Sequence, residues 1–138
     1  MGQREMKVTA DTNVLLRFLM RDDEKQAMAA AALLTEAKIV ALTLPALCEV
    51  VWVLSRGYKL SSTDIAHALQ MLINSSNVAV NRKAVEAGLL LLQQGGDFAD
   101  GVIAHEGGQL GADTFVSFDK KAVALMRTNH QNARLLKA

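Results

Sequence analysis

The 138-residue sequence predicts an α/β fold, a three-layer sandwich with a mostly parallel central sheet. Short β-prone runs alternate with longer segments of helical periodicity, and that alternation implies crossover connections between parallel strands with helices on both faces. Hydrophobic residues make up 51% of the chain, which is the profile of a compact globular fold. The length suits one core and is too short for two ordinary domains. We therefore expect a single domain over 1–138.

The order of the elements follows from their periodicity and from their start and stop signals. The spacing of Asp23 with Gln26, and of Ser61 with Asp64, is that of a capping box and predicts two helix starts. Pro45 suits the first turn of a third helix. The predicted strands are 7–10, 38–44, 78–80, 114–118 and 133–137, and the predicted helices begin near 12, 24, 45, 62, 82, 97 and 119.

Composition and charge limit the function classes. The net charge is only +1, so the whole chain does not have the strongly basic balance of many nucleic-acid binders, although Lys and Arg along the chain allow a local basic rim. Residues 1–7 are too charged for a signal peptide, and no apolar run approaches the roughly 20 residues that span a bilayer. We expect a soluble, cytoplasmic protein without a membrane partner. The single Cys48 is expected to pack as a small apolar side chain.

Two acids directly follow predicted strands. Asp11 comes after the first strand and Asp119 after the strand at 114–118. Either acid could simply cap the following helix. In open α/β sheets, however, functional sites form beyond the carboxyl ends of the strands. We therefore expect both side chains at one edge of the sheet.

Two further acids lie on predicted helices. Glu49 lies opposite the apolar stripe of its helix and near Trp52, so we expect it to be half-buried, where an ionised carboxylate needs a cation or hydrogen bonds. Asp97 and Asp100 are three residues apart and share a helix face. Asp97 is expected chiefly to cap that helix and to support the site, whereas Asp100 belongs to the site itself.

Converging carboxylates require a compensating charge. Each pair would repel by about 4 kcal/mol at about 4 Å and an effective dielectric near 20. A hard divalent cation with oxygen ligands, Mg²⁺ or Mn²⁺, offsets this repulsion and can activate water against a phosphodiester. Zinc motifs and phosphate-binding glycine loops are absent from the sequence.

Four motifs in order make the chain similar to PIN domains, in particular to the VapC-type toxins of bacterial toxin-antitoxin pairs. The resemblance runs from Val8 to Leu136. Gly101 departs from the pattern, because a better helix former is expected there and a helical glycine costs about 1 kcal/mol relative to Ala; Ser117 replaces the commoner Thr. The matching segments are Asp11–Arg17, Pro45–Val50, Asp97–Ala104 and Ser117–Asp119.

The resemblance implies a metal-dependent endoribonuclease. It implies that Asp11, Glu49, Asp100 and Asp119 hold Mg²⁺ or Mn²⁺ for RNA hydrolysis, with Asn13 polar at the site. It also implies a homodimer and a small antitoxin protein whose tail plugs the site.

Two other readings stay open. A PIN fold can serve as a binding module without turnover, although the intact set of four acids argues against it. A phosphorylatable receiver domain is also a small α/β fold with acids at strand ends. It needs adjacent acids after the first strand, where this chain has Asp11 followed by Thr12, and an acceptor Asp where this chain has Asn81.

Overall fold

The computed structural model describes residues 2–138 and contains α-helices and parallel strands. The strands are β1 (Lys7–Thr9), β2 (Ile39–Ala41), β3 (Val78–Ala79), β4 (Phe115–Ser117) and β5 (Ala133–Leu135). The helices are α1 (Thr12–Met20), α2 (Glu24–Glu36), α3 (Leu44–Arg56), α4 (Ser62–Ile73), α5 (Arg82–Gln93), α6 (Phe98–Gln109) and α7 (Lys120–Thr128). A 3-10 turn at Gln3–Glu5, which the sequence patterns did not predict, precedes β1.

The chain divides into a first compact unit ending at Asn81 and a second running from Arg82 to Ala138. In the first unit, β2 lies between β1 and β3, and both pairings are parallel, with Val8 opposite Val40 and Val40 opposite Val78. The core of this unit is built from the apolar faces of its helices. It includes Leu15, Leu47, Val50, Leu54, Ile65 and Leu69.

The second unit contains the parallel pair β4 and β5, with Val116 opposite Arg134. Its helices α5 and α6 pack closely against each other. Its core includes Val85, Leu89, Phe98, Val102, Val123 and Met126.

The predicted α/β class and its parallel pairing are confirmed, and every predicted element forms in the predicted order. Several boundaries differ. The strands are shorter than predicted, and the prediction that Leu44 ends the second strand is wrong, because β2 ends at Ala41 and Leu44 begins α3. In addition, α6 continues through Gly107 and Gly108 to Gln109, where the sequence suggested a break. The strand ladders place β1 and β4 in separate sheets, so the common edge expected for Asp11 and Asp119 stays a prediction, as does the single domain. No helix within residues 2–138 combines the length and apolar character needed to cross a bilayer.

Candidate functional site

Asp11 lies where β1 ends and α1 begins. Its backbone is extended, and its carboxylate Oδ1 accepts a hydrogen bond of 3.0 Å from the Val14 N–H, so it is the N-cap of α1. The side chain is exposed, as is that of Asn13 two residues later. Capping uses one oxygen and fixes the carboxylate at the positive end of the helix, while the second oxygen keeps its capacity for another ligand.

Glu49 contacts the start of α1 through Thr12. The Thr12 hydroxyl donates a hydrogen bond of 3.1 Å to Glu49 Oε2, joining α3 to the residue that follows Asp11. Sequence reasoning missed this role of Thr12, because nothing local pairs residues 37 positions apart. Glu49 is therefore hydrogen-bonded to the residue that directly follows Asp11, the other acid predicted for the first unit.

The expectation that Glu49 is half-buried is wrong, because its side chain is exposed. The apolar stripe was predicted correctly: Leu47, Val50 and Leu54 are completely buried. That stripe takes up the core-facing side of α3, and Trp52, the expected apolar neighbour, is itself 61% exposed. Glu49 thus has solvent to stabilise its charge in addition to the Thr12 hydroxyl.

Asp97 is the N-cap of α6, as predicted. Its Oδ1 accepts a hydrogen bond of 3.0 Å from the Ala99 N–H, and the side chain is exposed. Asp100 lies in the first turn of the same helix and is half-buried.

The pKa of Asp100 is raised above its ordinary value of 3.8. Burial is the largest cause, because a carboxylate loses hydration when it is covered, and the negative charges of Asp97 and then Asp119 add to it. Asp97 and Asp119 therefore each lie close enough to Asp100 to repel its carboxylate. A carboxylate in such surroundings favours a proton or a cation as its partner.

Asp119 follows β4 and caps α7, a role that the sequence left open beside membership of the site. Its Oδ1 accepts hydrogen bonds of 2.9 Å from the Lys121 N–H and 3.3 Å from the Ala122 N–H. The Asp119 N–H in turn donates to the Ser117 hydroxyl oxygen at 2.9 Å. Ser117, noted in the sequence only as a replacement for Thr, therefore helps to hold the turn that presents Asp119.

Two glycines set the position of Asp100 by allowing α5 and α6 to approach closely. A Cβ at Gly101 would lie 2.4 Å from the Ala87 carbonyl oxygen, and a Cβ at Gly88 would lie 2.7 Å from Cδ1 of Phe98. The interpretation of Gly101 as an unfavourable departure is therefore corrected: its low helix propensity is offset by a contact that no other residue permits. Because Asp100 directly precedes Gly101, the close packing of α5 against α6 also fixes the position of Asp100.

Within residues 2–138, no three His, Cys, Asp or Glu side chains are grouped as a ready-made metal site. The acids are distributed instead as Asp11 with Glu49 in the first unit, and Asp97, Asp100 and Asp119 in the second. The donors present are all carboxylate oxygens, which suit Mg²⁺ or Mn²⁺. The crowding that raises the pKa of Asp100 also fits a cation, because a positive charge would relieve it.

Parallel strands that end in acidic helix caps define the class of this protein, an α/β domain with carboxylates beyond the carboxyl ends of its strands. A model of the PIN domain family matches residues 8–127, most of the chain, and the protein belongs to the PIN domain family. PIN domains are generally nucleases and typically depend on divalent metals. A search of curated proteins gave no match.

Proposed function

We propose that the protein is a Mg²⁺- or Mn²⁺-dependent endoribonuclease that hydrolyses RNA phosphodiester bonds. The observation that carries the proposal is the state of Asp100, a half-buried carboxylate whose pKa is raised by burial and by the charges of Asp97 and Asp119. Repulsion by neighbouring acids does not help an acid that only stabilises the first turn of a helix, whereas it favours binding of a divalent cation. Membership of a nuclease family supports the same conclusion.

In this proposal Asp11, Glu49, Asp100 and Asp119 together hold the cation. When bound, the cation supplies a water of lowered pKa and a positive charge for the developing negative charge on the phosphate. The Thr12 hydroxyl orients Glu49 through its 3.1 Å hydrogen bond. Asp97 and Asn13 support the site as polar neighbours of the ligands.

The helix caps also contribute to the ligand set. Asp11 and Asp119 each use Oδ1 for backbone N–H groups, which restrains the carboxylate without consuming its second oxygen. A restrained ligand loses little conformational freedom when the cation binds. Preorganised acids at two helix N-termini are therefore suited to a site that must also accept the negative charge of RNA.

We further propose that the protein is the toxin of a toxin-antitoxin pair, that it acts in the cytoplasm as a homodimer, and that a small antitoxin protein blocks its site. The support is the four-motif resemblance to VapC-type toxins, with all four acids present. Induced expression should then arrest bacterial growth, and co-expression of an antitoxin should relieve the arrest.

The direct test is cleavage of single-stranded RNA by the purified protein with Mg²⁺, with Mn²⁺ and with a chelator. We expect cleavage with either metal and none with the chelator. Asp100→Asn, and Asp11→Asn in the other unit, should each abolish RNA cleavage and the growth arrest on induced expression. Glu106→Gln, an exposed acid later on α6, is the matched control and should remain active. Equal activity of Asp100→Asn and the unaltered protein would overturn the proposal, and RNA binding without cleavage would favour a non-catalytic binding module.

A further inference from the structure

Trp52 is the only tryptophan in the chain, and its side chain is 61% exposed on α3. A buried indole contributes a large apolar area, so folding leaves most of that contribution unused here. The opposite face of α3 already supplies the core through Leu47, Val50 and Leu54. Trp52 is therefore not required to complete the core of the first unit.

The position of Trp52 relates it to the candidate active site. It lies one turn after Glu49, displaced by about 4.5 Å along the helix axis, and Arg56 lies about 10.5 Å from Glu49 on nearly the same side of the helix. Glu49 is in turn tied to Thr12 at the start of α1. An acid, an exposed indole and a guanidinium thus follow one another along the solvent-facing side of α3.

A hydrogen-bonded strap, defined as Arg17, Asp22, Gln26 and Tyr58, joins two loops, one of which directly follows α3. The Tyr58 hydroxyl donates a hydrogen bond of 2.5 Å to Asp22 Oδ2, and Arg17 Nη1 lies 3.1 Å from Asp22 Oδ1. Arg17 Nε also donates to Gln26 at 2.7 Å. The strap therefore holds the loop between α1 and α2 against the loop between α3 and α4.

The strap brings cations beside the end of α3. Arg21 precedes Asp22 and Lys59 follows Tyr58; both have positive φ, of 54° and 57°, and both are exposed. In the part of the chain that the structure describes, Arg21, Arg56 and Lys59 have no acid within ion-pair distance. The charge of Asp22 is already engaged by Arg17 and Tyr58. Three cations therefore lie at the end of α3 or in the two loops that the strap joins, on a protein whose net charge is only +1.

We propose that Trp52 is a substrate-binding residue that stacks on a nucleobase of the RNA strand, while Arg56, Lys59 and Arg21 contact its phosphates. The inference rests on the proposed ribonuclease function and names how that site would hold its substrate. Base–aromatic stacking next to a cationic track is how proteins bind single-stranded nucleic acid, and an indole accepts any base. The phosphate contacts add affinity that depends on salt.

The intrinsic fluorescence of Trp52 provides the first test. The Asp100→Asn variant, with Mg²⁺ present, is titrated with a short single-stranded RNA of mixed sequence, and inorganic polyphosphate serves as a probe that has charge but no bases. We expect RNA to quench Trp52 as it saturates the protein and polyphosphate to leave the emission unchanged. Emission that depends on protein concentration and not on RNA would assign Trp52 to contact with a second copy and overturn the inference.

Substitutions provide the second test. Trp52→Leu, which keeps an apolar side chain and removes the aromatic face, should weaken RNA binding by about 5- to 150-fold, the range for loss of one base stack. Trp52→Phe should recover part of that loss. Arg56→Gln should reduce the slope of log affinity against log salt by about 0.7. Met71→Ala, which truncates another exposed apolar side chain on α4, is the control and should bind normally.

The two proposals fail in different ways. RNA cleavage that is unaffected by Trp52→Leu overturns the stacking role and leaves the ribonuclease intact. RNA binding with quenching but without cleavage in the unaltered protein overturns the ribonuclease and leaves the stacking role. Absence of both RNA binding and RNA cleavage overturns both proposals.

Discussion

Gly101 on α6 lies against the backbone carbonyl of Ala87 on α5, so closely that a Cβ at position 101 would be 2.4 Å from the carbonyl oxygen and 2.7 Å from the Cα of Gly88. Backbone atoms cannot move aside as the end of a flexible side chain can. The separation of these two helices, and with it the placement of Asp100, therefore depends on the absence of a side chain at residue 101.

Gly101→Ala should destabilise the protein although alanine is the better helix former. Overpacking in a tight contact costs about 1–3 kcal/mol, which exceeds the gain in helix propensity of roughly 1 kcal/mol or less. Urea unfolding measures the difference. Gly108→Ala is the matched control on the same helix, because its Cβ would meet nothing within 4 Å. It should be neutral or stabilising by up to about 1 kcal/mol, and a destabilisation as large as that of Gly101→Ala would contradict the contact argument.

Local signals in the sequence predicted what local interactions decide. Asp23, Ser61 and Asp97 accept hydrogen bonds from backbone N–H groups two or three residues later, as the sequence predicted for helix caps. Helix and strand order likewise follows from periodicity along the chain. These features need no knowledge of what packs against them.

Features that depend on distant residues were missed or misread. Thr12 contacts Glu49 across 37 positions, and Gly101 meets Ala87 on another helix. The exposure of Glu49 depends on which face of α3 meets the core, and the apolar neighbours that suggested half-burial include the exposed Trp52. Nothing within a window of one helix distinguishes a glycine that weakens the helix from a glycine that permits a tertiary contact.

Asp100→Asn should make the metal-free protein more stable at neutral pH. Burial, Asp97 and Asp119 raise the pKa of Asp100 in the folded state above 3.8, so the folded state binds more protons than the unfolded state just above that value. Stability therefore falls as the pH rises from 3.8 through the folded-state pKa, and the loss persists at neutral pH. The gain in Asp100→Asn should be under about 1 kcal/mol, because solvent screens a half-exposed group. Thermal unfolding in the presence of chelator, measured from acidic to neutral pH, gives this difference, with Glu106→Gln as the control. Equal stability of Asp100→Asn and the unaltered protein at pH 7 would contradict the repulsion of Asp100 by Asp97 and Asp119.

With Mg²⁺ or Mn²⁺ bound, the unaltered protein should become more stable than Asp100→Asn. A ligand that binds only the folded state stabilises it by about 2.7 kcal/mol at 100 times its dissociation constant. The unaltered protein should therefore gain thermal stability on titration with either metal, whereas Asp100→Asn and Glu49→Gln should gain little. Loss of the metal effect in both variants would support Asp100 and Glu49 as ligands of the cation. A full effect in Glu49→Gln would remove Glu49 from the ligand set.

The stability that the hydrogen bond between Tyr58 and Asp22 contributes should be lost at both strongly acidic and strongly alkaline pH. The hydrogen bond from Tyr58 lowers the pKa of Asp22 below 3.8, and that bond raises the pKa of Tyr58 above 10.0. Stability from Asp22 is present above 3.8 and is lost as the pH falls through its folded-state pKa; stability from Tyr58 is present below 10.0 and is lost as the pH rises through its own. Tyr58→Phe should lower the urea midpoint at neutral pH and match the unaltered protein at strongly acidic pH. If the urea midpoints of Tyr58→Phe and the unaltered protein differ by the same amount at every pH, the packing of the ring and not the hydrogen bond stabilises the protein.

Two substitutions at Asp119 should separate its capping role from its role in the site. Asparagine caps a helix about as well as aspartate, so Asp119→Asn should retain the hydrogen bonds to the N–H groups of Lys121 and Ala122 and remain stable. Asp119→Ala should lose about 1 kcal/mol, because these N–H groups then lack their acceptor. Both variants lose the negative charge, so both should fail to cleave RNA. Urea unfolding and RNA cleavage measured on the two variants therefore give different patterns, and an active Asp119→Asn would restrict Asp119 to the structural role of a helix cap.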